Sequence, residues 1–153
     1  VFTQLLLDRG ARRVYAADVG HGQLSPIVAA DPRVVAFEGL NARDLSAAQV
    51  PEPIDLVVCD ISFVSVTKVL SAPLRLCRPG ADAVILIKPQ FEVGRPHVGK
   101  GGIVTDAGEI ARAEAEVVAF MRAEGWELAA SVPSPIAGGD GNRETVAAFR
   151  RIA

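Results

Sequence analysis

Asp18, Asn41, Asp60 and Lys88 each follow a short apolar run: VYAA, VVAFEGL, DLVVC and AVILI. A carboxylate can accept two hydrogen bonds from a vicinal diol, so Asp18 is a candidate for holding a ribose. Its plainer alternative is a loop acid or helix cap. Asp60 meets a charge requirement: a carboxylate entering the end of an apolar run needs a partner or a ligand. Lys88 is the sharpest residue, because its ammonium emerges between VILI and Pro89. A lysine in such surroundings is rarely buried without a partner, and one that loses its proton becomes a general base. The alternative is a lysine that lays its stem along apolar surface and keeps its head in water.

Two other patterns invite chemistry and fail on detail. Gly94, Gly99 and Lys100 match the spacing of a phosphate-binding loop, but Gly101 stands where Ser or Thr should hold magnesium, and Pro96 interrupts the loop. A substrate-facing loop that offers Arg95, His97 and Lys100 to phosphates fits better. Ser62, Ser65 and His21 have the residue types of a hydrolase triad without a G-x-S-x-G elbow. The two histidines have no Cys or His at metal spacing, so no zinc site is expected.

The elements that would position these residues alternate. VFTQLLLDRG reads as a helix stopped by Gly10, followed by a strand over 14–19, a helix over 24–30 and a strand over 34–39. DLVVCDIS, 55–62, has the near-continuous apolarity of a parallel strand buried on both faces. A helix over 65–76, kinked at Pro73, is expected to stop at the turn Arg78-Pro79-Gly80. The strand 81–89 leads into a Gly-rich basic loop. Asp106 and Glu109 then open a helix with Ile110, Ala113, Val117, Phe120 and Met121 on one stripe, ending at Gly125. Strands at 127–132 and 144–153 close the sequence as an antiparallel edge pair. The pattern is an open, mostly parallel α/β sheet in one domain, whose ligands bind at the carboxyl ends of the strands.

The 153 residues, 50% hydrophobic and 22% charged, suffice for one core. Sixteen basic against eighteen acidic side chains exclude nucleic-acid binding by bulk positive charge, though not a local basic patch. Cys59 and Cys77 read as buried free thiols. Without an apolar run of about 18 residues or a basic-then-apolar start, the expectation is a soluble, cytoplasmic protein with no membrane partner.

DVGHGQL (18–24), NARDL (41–45), DISFVSVTKVL (60–70), KPQFEVGR (88–95), HVGKGGIV (97–104) and GGDGNRE (138–144) occur in this order. They resemble the TlyA-type, or haemolysin A-like, proteins of the FtsJ-like ribosomal RNA methyltransferases, and the resemblance spans essentially the whole chain. It implies a Rossmann-like methyltransferase fold with strand order 3-2-1-4-5-7-6, S-adenosylmethionine as donor, and ribose 2′-hydroxyls of ribosomal RNA or a ribosomal subunit as acceptor. The family's catalytic Lys-Asp-Lys-Glu set carries over to Asp60, Lys88 and Glu144. Asp18, Asn41, Ala42 and Asp60 correspond to cofactor positions, and Arg143 joins Arg95, His97 and Lys100 toward RNA. Without the resemblance, Glu144 reads as an edge charge that discourages strand pairing. The family's first lysine, its glycine-rich loop and its first strand are expected upstream of Val1, so the chain reads as an N-terminally truncated methyltransferase domain. The family label also raises a rival, a membrane-active haemolysin. No amphipathic basic helix supports that rival. A non-catalytic RNA-binding fragment is the second alternative.

Overall fold

The computed structural model describes residues 2–138 and 141–152. Helix α1 (Phe2–Asp8) ends at Gly10, whose φ of +89° suits glycine, and leads to strand β1 (Val14–Asp18). Helix α2 (Pro26–Ala29) is capped by Ser25, whose hydroxyl accepts from the Val28 amide, and strand β2 (Val34–Glu38) lies parallel to β1. Strand β3 (Ile54–Cys59), helix α3 (Ser71–Arg75), strand β4 (Cys77–Ile87) and the one-turn helix α4 (Pro89–Glu92) follow. The long helix α5 (Ala107–Ala123) precedes strands β5 (Trp126–Pro133) and β6 (Thr145–Arg151).

The strands form two sheets, β1-β2 and β3-β4-β6-β5. β3 and β4 are parallel, whereas β6 runs antiparallel to both of its neighbours, β4 and β5. The expected antiparallel terminal pair is therefore present, with the last strand inserted inside the sheet and β5 on the edge. The family order places strands 3-2 and 4-5-7-6 on either side of strand 1. The two sheets here have those two orders and face each other across a cavity of about 440 Å³, lined on one side by Val14, Tyr15 and Ala17 and on the other by all of β3.

The main core lies on the four-stranded sheet. Ala81, Ala83, Ile85 and Ile87 alternate inward along β4 and pack with Ala147 and Phe149 of β6, Trp126, and Val117 and Met121 of α5. Burying side chains the size of Val117 and Met121 contributes about 1.5–3 kcal/mol each. The expected stripe on α5 is realised, and Asp106 caps the helix by accepting from the amides of Gly108 and Glu109. The small sheet has only a modest cluster around Leu7, Val14 and Val28.

Three expectations are corrected. DLVVC is not buried on both faces: Leu56 is 38% exposed, because β3 is an edge strand whose free side borders the cavity. The helix over 65–76 is two pieces. Ser65 caps a single 3-10 turn at Val66–Lys68, the chain breaks at Val69, and α3 starts afresh at Ser71. β-Branched Val66, Thr67 and Val69 disfavour a continuous helix, while Pro73 sits in the first turn of α3, where no amide is needed. Arg78-Pro79-Gly80 does not end a helix; it is a bulge inside β4, where the register against β3 shifts and Gly80 takes φ +77°.

Candidate active site at the carboxyl edge of the sheets

β3 and β4 are adjacent and parallel, so their carboxyl ends deliver Asp60 and Lys88 to one place. Lys88 Nζ lies 2.5 Å from Asp60 Oδ1, with the lysine side chain 13% exposed and the aspartate 43%. The same ammonium donates to Ser62 Oγ at 3.1 Å. Lys88 also precedes Pro89 at the start of α4, which fixes the direction in which its stem leaves the strand.

Glu144 arrives by register. Ile87 pairs with Thr145 across β4 and β6, so the next residues outward are Lys88 and Glu144. Glu144 is buried. No ion pair joins it to Lys88 among the described residues; the contacts that orient the amine come from Asp60 and Ser62. Arg143 is exposed beside it. Gly139 and Asp140 of the GGDGNRE block lie outside the described residues.

The second cluster forms where β1 and β2 end. Asp18 and Glu38 are paired in register. Asp18 Oδ1 accepts from the Gly20 amide at 2.8 Å, which turns the chain and leaves the exposed carboxylate at the rim. The 18–22 loop is tied to the end of β2 by Gly22 N–H to Glu38 Oε2 at 3.2 Å and by His21 against the same carboxylate. Asn41 caps a short 3-10 turn, its side chain accepting from the Arg43 amide at 3.1 Å. Ala42 packs on the main core and, with Asp60 and Ile61, lines the cavity between the sheets. Ala42 and Asp60 thus line the cavity between the sheets, while Asp18 and Asn41 stand at the ends of β1 and β2 outside that lining.

Arg95, His97 and Lys100 are exposed on two 3-10 turns after α4. His97 Nε2 is 3.6 Å from Glu109 Oε2, so one of the three is partly drawn back to α5. Arg112, bound to Glu109 and Glu116, donates to the Val93 carbonyl and anchors the start of this loop. Its far end is held by Asn142, which is 1% exposed. Asn142 Oδ1 accepts from the Val104 amide at 2.9 Å, and its Nδ2 donates to the Gly102 carbonyl at 2.8 Å.

Sequence reasoning gave no role to Asn142, Ser62 or Phe63. Phe63 is 89% exposed, has φ +69°, and lies with its ring centroid 5.2 Å from that of Phe91. Set between Ser62 and Val64, it reads in sequence as an ordinary apolar residue of the DISFVSV stretch. Burial pushes the Cys59 thiol, next to Asp60, up to about 12, so it takes no part as a nucleophile near neutral pH.

An α/β sheet with a reverse strand inserted beside its edge strand is the methyltransferase class of fold. The FtsJ-like methyltransferase family profile matches residues 1–151, and the chain belongs to that family. It is 46% identical over 143 residues to the 16S/23S rRNA (cytidine-2′-O)-methyltransferase TlyA of Mycobacterium tuberculosis, covering 94% of this chain and 53% of that protein. A Streptococcus thermophilus structure described as a hemolysin superposes with a TM-score of 0.93 at 34% identity, covering 99% of this chain and 55% of that one. A Burkholderia thailandensis 1,6-didemethyltoxoflavin-N1-methyltransferase with bound S-adenosylhomocysteine shares the fold, with a TM-score of 0.65 at 17% identity, over 99% of this chain and 66% of that one. The chain spans about half the length of the curated relatives it matches.

Proposed function

We propose that this chain is the catalytic part of an S-adenosylmethionine-dependent methyltransferase acting on ribose 2′-hydroxyls of ribosomal RNA. The observation that carries the reading is Lys88 Nζ 2.5 Å from Asp60 Oδ1 at the ends of adjacent parallel strands. The choice of RNA ribose as acceptor rests on likeness to the M. tuberculosis relative.

Asp18 would accept hydrogen bonds from the cofactor ribose, and Asn41 and Ala42 would border its base. When bound, the cofactor's sulfonium supplies a methyl group already activated for in-line displacement. The protein's task is then to align the 2′-oxygen and take its proton. Lys88 faces the place where that hydroxyl would lie; once it has given a proton to solvent, its neutral Nζ would accept the hydroxyl proton, while Asp60 and Ser62 hold it in place. Asp60 and Ser62 aim the amine, with the Asp60 carboxylate as its charge partner, and Glu144 stands opposite Lys88 across the ladder. Arg95, His97, Lys100 and Arg143 stand exposed, where RNA phosphates can meet them.

With a labelled methyl donor, the complete protein should label ribosomal RNA on ribose and release no dye from lipid vesicles. Among the described residues no helix is long and apolar enough to cross a membrane. Vesicle leakage without methyl transfer would reverse the assignment in favour of a lysin; RNA binding with no transfer would leave a non-catalytic module.

A further inference from the structure

Residues 60–66, between β3 and the 3-10 turn, are tied at both ends. At the start, Asp60 is held by Lys88. At the far end the Glu92 carboxylate accepts from Ser65 Oγ at 2.6 Å and from the Val66 amide at 2.9 Å. Between the ties lie Ser62, which accepts from Lys88, and Phe63 in left-handed geometry. An exposed phenylalanine at positive φ gains little burial to offset its backbone strain, so it persists only where the surroundings fix the chain. Both ties start from the same short element: Lys88 stands at the head of α4, and Glu92 is that helix's last residue. A one-turn helix thereby grips the loop at two points. Glu92 is kept ionisable in this half-buried place although burial raises its carboxyl, Glu116 adds to the rise, and only Ser65, Val66 and Lys68 oppose it.

We propose that Glu92 is a positioning residue for methyl transfer: it locks the 60–66 loop onto α4 so that Asp60 and Ser62 stay on the Lys88 amine. The assignment rests on the methyl-transfer reading of the Lys88 site. Glu92 touches neither acceptor nor cofactor in this account; it acts through the loop. Its loss should therefore slow the chemical step and leave cofactor affinity alone.

The test uses the complete protein as Glu92→Ala, Glu92→Gln and Ser65→Ala, read by single-turnover methylation of ribosomal RNA, cofactor titration and amide exchange across 61–66. Glu92→Ala leaves the Val66 amide without its acceptor and should slow turnover about tenfold or more, with a comparable rise in Val66 exchange and an unchanged cofactor Kd. Glu92→Gln keeps an acceptor for Val66 and a hydrogen bond for Ser65, and should restore both readouts. Ser65→Ala removes one tie and should give a smaller loss in the same direction, which keeps the proposal decidable if Glu92→Ala does not fold. Unchanged turnover in Glu92→Ala, or Glu92→Gln as slow as Glu92→Ala, would overturn it. Should the unsubstituted protein transfer no methyl to RNA, the functional reading fails, and exchange at Val66 still decides whether Glu92 holds the loop.

Discussion

At the scale of single residues the weight falls on Lys88. If its amine takes the hydroxyl proton, Lys88→Ala in the complete protein should lose roughly two to four orders of magnitude in single-turnover rate while still binding cofactor. Lys88→Arg should be no better, because a guanidinium stays protonated at any useful pH. A near-normal rate in Lys88→Arg across a pH series would reduce the residue to a source of positive charge. Glu92 makes a separate prediction about stability. Burial raises its folded-state value above that of a free glutamate, against the hydrogen bonds from Ser65 and Val66. Its contribution is then fully present below the unfolded value and lost as pH rises through the folded one. Glu92→Gln, which has no charge to bury, should gain in Tm relative to the parent as pH is raised from the acidic side of the carboxylate range to neutrality. Equal pH profiles for the two proteins would contradict the buried-charge account. Asp18, Asp60 and Lys88 were legible in the sequence because a polar residue after an apolar run marks a strand end. Ser62 and Phe63 were not, because their roles depend on how a loop bends back, and residue type does not encode that bend.

At the scale of elements, the strands were read more truly than the helices. Alternation of short apolar runs with turn residues located all six described strands, since a strand's boundary is set by where burial stops. The segment 65–76 misled because its apolar spacing suits a helix, while its β-branched residues and Pro73 divide it into two turns. The bulge at 78–80 was equally hidden, as Pro-Gly marks a turn whether or not the strand resumes. GNRE was visible as a block, but the use of its asparagine was not. Asn142 joins the end of the 94–104 loop to the segment that opens β6. Asn142→Ala would leave the Val104 amide and the Gly102 carbonyl without these partners and should cost about 1–3 kcal/mol. A lower urea midpoint at unchanged m-value is the expected sign; an unshifted midpoint would show that the loop holds without it.

At the scale of the whole molecule, the two sheets have unequal cores. The four-stranded sheet carries Trp126, Phe149, Leu74 and Met121 fully buried, whereas the β1-β2 unit packs on Leu7, Val14 and Val28. Amides of β1 and β2 should therefore exchange through a partial opening, well before those of β4 and β6, which should wait for global unfolding. Uniform protection across both sheets would mean that the cavity between them does not divide the chain energetically. The insertion of β6 between β4 and β5 carries a different consequence, one of timing. During synthesis β5 leaves the ribosome before β6, its strand partner among the described residues, and it waits as an unpaired edge until β6 follows. Glu144 opens that late strand, and Asn142 stands just ahead of it. The nascent chain thus holds Asp60 and Lys88 early, yet completes their surroundings only when β6 slides into the middle of the sheet.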